Sequence, residues 1–99
     1  MVYNVKFLDI ALSELDDAVE YYEYEQARLG FRFVTIIKKT VLLIENHPFA
    51  WSPLSDKVRR CIVKGFPYEL IYQISENNIL ILAVAHQHRK PNYWIDRIQ

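Results

Sequence analysis

Five side chains that bind anions or transfer protons lie close together near the end of the sequence. His86 and His88 are followed by the cations Arg89 and Lys90, and Tyr93 comes three residues later. Histidine changes its charge near neutral pH and can act as a general acid or base. Arginine and lysine neutralise phosphate, and tyrosine can stack on a nucleobase. This spacing predicts a phosphodiester-binding surface with His86 as a candidate for proton transfer, although a structural or solvent-facing role for His86 is an equally open interpretation.

A second basic group, Arg59, Arg60 and Lys64, lies on or beside an earlier predicted strand. Pairing of the strands could bring the two groups together on the concave side of a sheet. Alternatively, Arg59 and Arg60 only flank a strand, where basic side chains discourage pairing with another chain. Glu69 is an acid on the next predicted strand. We expect Glu69 to pair with a neighbouring base instead of acting in catalysis.

The sequence predicts neither a metal nor a cofactor. His86 and His88 would point the same way on a strand and could bind zinc, but the third histidine, His47, is distant in sequence. The chain has no glycine-rich phosphate loop, nucleophile elbow, HExxH or paired CxxC motif. Cys61 is the only cysteine, so it cannot form an internal disulfide and is expected to be a small core residue.

Composition indicates one ordered domain over residues 1–99, since 52% of the residues are hydrophobic. A reduced cytoplasm is expected because we find no secretory signal and no apolar run near the ~18 residues of a membrane span. Charge is unevenly distributed: residues 1–29 hold seven acids and two bases, residues 30–55 three bases and one acid, and residues 56–99 seven bases and four acids. One face could therefore meet a basic partner and another an acidic or phosphate-bearing partner.

Hydrophobic periodicity predicts a strand over residues 2–7 and then two helices. Asp9 is the expected N-cap of a first helix from residue 10 to Leu29, and Gly30 is its expected C-terminal glycine. A second helix should stop before Pro48 and form an antiparallel hairpin with the first. Residues 47–57 should form a long loop that Phe49 and Trp51 attach to the core.

Three strands are predicted after the loop, over residues 59–64, 68–75 and 79–88. Residues 76–78, Glu-Asn-Asn, should form the hairpin between the last two strands, with the asparagines at positive φ. The run 79–85 is apolar on both faces, as in a central strand. A short C-terminal helix over residues 92–98 would dock Trp94 or Ile98. The predicted fold is α+β, with the order β-α-α-β-β-β: an N-terminal strand and an antiparallel helical hairpin packed on a small antiparallel sheet.

The segments RRCIVKGFPYELIYQI and ENNILILAVAHQHRKPNYW, in this order of elements, closely resemble the RelE/ParE superfamily. This superfamily contains the toxins of bacterial type II toxin–antitoxin systems, often described as plasmid stabilisation proteins. The resemblance extends over essentially the whole chain. It is most specific in FPYELIYQI and AVAHQHRKPNYW.

The resemblance implies one of two activities. RelE-like members cleave messenger RNA at the ribosome: Tyr93 matches their terminal tyrosine, Arg89 a nearby basic position, and Arg60 and Lys64 their basic segment. In this reading His86 or Tyr93 would handle protons during attack by the 2′-hydroxyl. ParE-like members inhibit DNA gyrase instead. Glu69 stands where the RelE-like strand arginine is expected, and its charge would repel a phosphate, which favours the ParE-like reading or an unassigned target.

The resemblance also implies a cognate antitoxin that folds onto the chain and covers apolar grooves between the helical hairpin and the sheet. Growth inhibition by the chain, neutralised by this antitoxin, is the expected function. If the chain is an enzyme, it would be a metal-independent RNA endonuclease. Homodimers and toxin–antitoxin hetero-oligomers both remain open.

Overall fold

A computed structural model describes residues 2–99 and has the predicted order of elements with one addition, a two-residue strand (Ser52–Pro53) inside the predicted loop. Two antiparallel helices pack on one face of a five-stranded sheet, and the C-terminal segment covers part of the other face. The elements are β1 (Asn4–Phe7), α1 (Asp9–Glu25), α2 (Leu29–Asn46), β2 (Ser52–Pro53), β3 (Val58–Val63), β4 (Tyr68–Ser75), β5 (Asn78–His86) and a 3₁₀ turn (Ile95–Arg97).

The strand order is β1-β5-β4-β3-β2. Strands β2 to β5 pair in antiparallel fashion, as predicted, whereas β1 pairs with β5 in parallel. A parallel pair requires a long connection, and here both helices and three strands separate the two partners. β5 lies between β1 and β4, which confirms it as an interior strand.

Each face of the sheet has its own apolar core. Phe33 and Ile44 of the helices pack with Tyr72 and Ile81 on one face. On the other face, Trp94 of the C-terminal segment packs with residues of β3, β4 and β5. Trp94 is thus the docking residue of this segment, whereas the alternative, Ile98, is 37% exposed.

A β-bulge changes the alternation of β5. Tyr72 is opposite Ile81 and Ile71 is opposite Ala83, so Leu82 is the additional residue. Leu82 and Ala83 both join the Trp94 core as a result. The bulge places two consecutive residues of β5 in the same core, which strict alternation of a strand does not predict.

The start of α1 differs from its prediction. Asp9 is the first helical residue, and the N-cap position belongs to Leu8, whose side chain cannot cap the helix. Its end differs too, since α1 stops at Glu25 and the chain turns at Arg28, which has φ of 74°. Arg28, not glycine, therefore provides the left-handed residue of the helical hairpin.

Gly30 lies inside α2 and is buried, so its prediction as a C-terminal glycine of α1 was wrong. A Cβ at this position would lie 2.7 Å from the backbone oxygen of Val19 and 3.0 Å from a carboxylate oxygen of Glu23. The same carboxylate accepts the Gly30 N–H at 3.1 Å. Glycine is favoured here because a Cβ would collide with the backbone of α1.

The remaining differences concern loops and termini. Phe49 is 61% exposed and does not attach the loop to the core, whereas Trp51 is half-buried against it, as expected. Positive φ in the last hairpin belongs to Glu76, not to an asparagine. Of the helix predicted over 92–98, only the 3₁₀ turn Ile95–Arg97 is present. The segment instead lies along the surface of the sheet, where Trp94 is docked.

We expect Gly30→Ala to lower the free energy of unfolding by about 1–3 kcal/mol, as overpacking does. This loss should exceed the gain of ~1 kcal/mol that alanine brings to a helix interior. Urea unfolding of Gly30→Ala, with the exposed Thr35→Ala of the same helix as control, measures the difference. Stability equal to or above that of the wild type would contradict the close approach.

Candidate functional site

The structure brings part of the predicted site into one recess on the face opposite the helices. The recess has a volume of about 200 Å³. β3 contributes Arg60, β4 contributes Glu69, and the segment after β5 contributes Arg89, Lys90 and Tyr93. We call it the C-terminal recess.

Arg60 and Glu69 form an ion pair inside the C-terminal recess. Nη1 of Arg60 lies 3.6 Å from Oε2 of Glu69, and the two residues are diagonal neighbours on adjacent strands. The Glu69 side chain is 17% exposed and that of Arg60 46% exposed. The expected pairing of Glu69 with a base is therefore confirmed, and one of the cations of the recess is partly neutralised.

Tyr93 is held by a hydrogen bond that points away from the recess. Its hydroxyl donates to Oε2 of Glu14 at 2.8 Å. Burial, the hydrogen bond to Glu14 and the charge of Glu14 together raise the pKa of Tyr93 well above its usual value. The Arg89 guanidinium lies 4.0 Å from the centre of the Tyr93 ring. Tyr93 thus supports Arg89 through a cation–π contact, while its hydroxyl proton is directed at Glu14.

Glu14 and Arg97, which the sequence prediction missed, connect this segment to α1 and β5. Arg97 donates to both carboxylate oxygens of Glu14, at 2.9 and 3.0 Å, and to the backbone oxygen of Leu82 at 3.0 Å. Glu14 also accepts the Val84 N–H at 3.0 Å. The hydrogen bonds to Glu14 raise the pKa of Arg97.

One signal in the sequence could have revealed Glu14. The buried residues of α1 are Ala11 and Ala18, and Glu14 lies three residues after one and four before the other. Residues at this spacing share a helix face, so Glu14 belongs to the buried stripe. A carboxylate on such a stripe requires a cation or hydrogen-bond donors. No comparable signal in the sequence indicates that the cation is Arg97.

His86 lines the C-terminal recess, whereas His88 is not one of its lining residues and lies beside His86, with ring centres 5.2 Å apart. The His86 ring makes an edge contact with Tyr68, with ring centres 5.0 Å apart, and its Nδ1 accepts the His88 N–H at 3.0 Å. This hydrogen bond leaves Nε2 as the protonated nitrogen of neutral His86. His86 also borders a cavity of about 280 Å³ on the helix side, together with Glu14, Asp17 and Arg89. Its predicted role in proton transfer stays a prediction.

Arg59 and Lys64 lie outside the C-terminal recess. Adjacent residues of a strand face opposite sides, so Arg59 points away from Arg60. It donates to the backbone oxygens of Phe49 and Trp51 at 3.0 and 2.7 Å, which attaches the loop to β3. Lys64 borders a separate groove between α2 and the turn after β3. The two basic groups therefore meet only through Arg60.

Cys61 is buried in the core beneath the helices, as predicted. Burial raises the pKa of its thiol to about 11, so the thiolate is scarce at neutral pH. Within residues 2–99, no three side chains of His, Cys, Asp or Glu are grouped so as to hold a metal ion. Over the same part of the chain, no helix is both long and apolar enough to cross a membrane.

Comparison with protein families identifies the relatives of this fold. The family described as ParE toxin of type II toxin-antitoxin system, parDE, matches residues 5–91. The chain belongs to this ParE toxin family. It is thereby a ParE-like toxin of a type II toxin–antitoxin system, within the RelE/ParE superfamily that the C-terminal motifs indicated. No curated protein matches the chain.

A solved structure supports the fold of the ParE family for this chain. It is a chain of the chromosomal ParDE TA system from P. aeruginosa, with a TM-score of 0.75. The alignment covers 86% of this chain and 96% of that chain at 17% sequence identity. At this identity the likeness concerns the fold.

We expect Tyr93→Phe to lower the free energy of unfolding by about 1–2 kcal/mol, because a buried hydrogen bond to a charged group is lost. Arg89 should keep its place, since the phenyl ring retains the cation–π contact. Chemical unfolding at neutral pH measures the effect, and Tyr24→Phe, at a side chain that is 90% exposed, is the control. Equal stability of the Tyr93 and Tyr24 variants would show that the Tyr93–Glu14 bond contributes nothing.

Proposed function

We propose that this ParE-family chain arrests growth by binding DNA gyrase and that a cognate antitoxin neutralises it. One observation carries the choice of gyrase over RNA cleavage. The carboxylate of Glu69 occupies the C-terminal recess beside Arg60, where a phosphodiester would have to bind. A carboxylate there opposes the charge that a scissile phosphate develops.

The position of Tyr93 supports the same choice. Its hydroxyl is bound to Glu14 and its pKa is raised, so it is a weak proton donor at neutral pH. Arg89 and Lys90 remain at the surface, where they can contact a protein as readily as a nucleic acid. In this proposal Arg60, His88, Arg89 and Lys90 contact the target, and Arg59 supports the strand that carries Arg60.

A second candidate is a RelE-like RNA endonuclease that acts at the ribosome. The grouping of Arg60, His86 and Arg89 around one recess favours it, since these side chains can bind a phosphate and transfer a proton. In that reading His86 is the proton-transfer residue and Arg89 stabilises the phosphate. Tyr93 would then act by positioning Arg89. Both targets would be met in the cytoplasm.

The antitoxin is proposed as the partner in both readings. The family name and the structural relative both refer to a toxin–antitoxin system. A segment that folds on binding could cover the exposed apolar side chains of the helical hairpin, which include Phe31, Leu42 and Leu43. The assembly would be a toxin–antitoxin hetero-oligomer.

Expression of the chain alone should arrest growth, and co-expression of the adjacent small gene should restore it. Purified chain should then inhibit supercoiling by DNA gyrase at micromolar concentration. A translation extract treated with the chain, followed by mapping of mRNA ends, serves as the opposing measurement. Cuts at the ribosomal A site with unaffected supercoiling would reject gyrase in favour of the endonuclease.

Removal of the charge of Glu69 should increase affinity for single-stranded RNA. Two unit charges ~4 Å apart in water interact by about 1 kcal/mol, so Glu69→Gln should bind about fivefold more tightly. Fluorescence anisotropy with a labelled oligonucleotide at low salt measures this. The control is Glu20→Gln, which makes the same charge change on the exposed face of α1. An equal gain in both variants would mean that the C-terminal recess is not the anion site.

A further inference from the structure

His86 lies at the boundary between two cavities. It lines the C-terminal recess and also the cavity of about 280 Å³ on the helix side, which we call the helix-side cavity. Among the described residues, only Arg89 also lines both. His86 and Arg89 belong to one turn, so a change at the His86 ring can alter the position of Arg89.

Two hydrogen bonds close this turn. The backbone N–H of Arg89 donates to the backbone oxygen of His86 at 3.0 Å. The backbone N–H of His88 donates to Nδ1 of the His86 ring, also at 3.0 Å. The Gln87 N–H donates to the backbone oxygen of Pro67 at 2.9 Å, which fixes the beginning of the turn. The end of the turn therefore depends on the bonds to His86.

The bond to Nδ1 exists only while the His86 ring is neutral. Neutral imidazole has one acceptor nitrogen, whereas both nitrogens of imidazolium carry a proton and donate. Rotation of the ring cannot restore the bond, because the charged ring has no acceptor in any orientation. Histidine is the side chain that changes its charge in the physiological pH range. The bond is therefore present at higher pH and is lost as the pH falls and His86 gains its proton.

The surroundings of His86 on the recess side are mostly basic. The titratable groups on this side are His88, Arg89, Lys90 and Tyr93 of the same segment, Arg60 of β3 and Glu69 of β4. Arg60 and Glu69 form an ion pair with each other. Arg89 and Lys90 take part in no ion pair within residues 2–99. A positive charge on His86 would repel both cations and favour opening of the turn.

The helix-side cavity offers the opposite charge. From α1, Glu14, Asp17 and Tyr21 line this cavity together with His86. Tyr68 of β4 lines it too, with its ring centre 5.0 Å from that of His86. The carboxylate of Glu14 already belongs to an ion pair, whereas Asp17 forms none in the part of the chain that the structure describes. The imidazolium is therefore attracted toward α1 and away from the turn.

We infer that His86 is a pH-sensitive switch for the turn that carries Arg89 and Lys90. The neutral ring closes the turn through the His88 N–H, and the imidazolium opens it. Opening removes Arg89 from the Tyr93 ring and from its position in the C-terminal recess. The switch itself rests on the hydrogen bond and the surrounding charges, whereas its consequence for target binding rests on the proposed function.

NMR titration of the wild-type chain between about pH 8 and about pH 5 tests the switch directly. The nitrogen shifts of the imidazole report protonation of His86, and the amide proton of His88 reports the hydrogen bond. This amide proton should move upfield with the same midpoint as the His86 ring, and the Arg89 amide should become more mobile over the same range. A His88 amide that does not change while His86 is protonated would overturn the inference.

Two substitutions of His86 separate the hydrogen bond from the shape of the ring. In His86→Asn the side-chain oxygen can accept an N–H two residues later and does not titrate, so the turn should stay closed over the whole range. In His86→Phe the ring can keep its contact with Tyr68 but has no acceptor, so the turn should be open at every pH. Equal mobility of the turn in these two variants would contradict the switch. His88→Asn is the control, because it retains the backbone N–H and should show the pH dependence of the wild type.

Target binding should follow the same titration. Dissociation constants of the chain with purified DNA gyrase are measured at about pH 7.5 and about pH 6, and His86→Asn corrects for the effect of pH on gyrase. The wild type should bind about two- to tenfold more weakly at the lower pH, as expected for loss of one hydrogen bond, whereas His86→Asn should show no such loss. His47→Asn, at the exposed histidine after α2, should behave as the wild type does.

The outcomes distinguish failure of the switch from failure of the proposed function. Absence of gyrase binding at both pH values would reject the target, and the NMR titration would then decide the switch by itself. Binding that weakens equally in the wild type and in His86→Asn would overturn the role of the switch in target binding. Tighter binding of the wild type at the lower pH would overturn it as well, because the added charge would then outweigh the lost position of Arg89.

Discussion

The C-terminal half of this structure depends on the hydrogen bonds that the Glu14 carboxylate accepts. β1 is only four residues long, so the side of β5 that faces away from β4 has no strand partner beyond Ile81. Glu14 accepts the Val84 N–H there, and Arg97 donates to the Leu82 oxygen, so side chains replace the missing strand. An open sheet edge otherwise invites pairing with another chain. The same carboxylate binds Tyr93, which joins edge, helix and C-terminal segment at one point.

This arrangement determines the chemistry of the C-terminal recess. Glu14 binds the hydroxyl of Tyr93, and the ring of Tyr93 contacts the guanidinium of Arg89. These two contacts position Arg89 in the lining of the recess. The Glu69–Arg60 pair lies on the adjacent strands and offsets part of the positive charge. Because breaking one partner of a largely buried ion pair costs about 3–5 kcal/mol, the Glu14–Arg97 bridge is a strong constraint on the segment. The C-terminal recess therefore keeps Arg89 and Lys90 among its lining residues, while the hydroxyl of Tyr93 is bound to Glu14.

The two sides of the helical hairpin differ as strongly as the two faces of the sheet. Gly30 allows α1 and α2 to pack in close contact, although α1 has seven acids and no base whereas α2 has three bases and one acid. Few of these charged side chains form ion pairs within the chain, since most of them are exposed. Exposed charges add little stability, so this segregation of charge contributes little to folding.

The sequence by itself determined the order of elements, the buried run of β5, the core position of Cys61 and the family. These follow from local periodicity, from turn residues and from motifs that are continuous in the chain. It misplaced Gly30, because a glycine after a helical pattern reads as a helix end unless the neighbouring helix is known. Only the tertiary structure decided which of Arg59 and Arg60 faces the C-terminal recess, that Lys64 borders a different groove, and that Glu14 meets Arg97 and Tyr93. Those outcomes depend on contacts between residues up to 83 positions apart, whose geometry is set by packing and by strand register, not by neighbours in sequence.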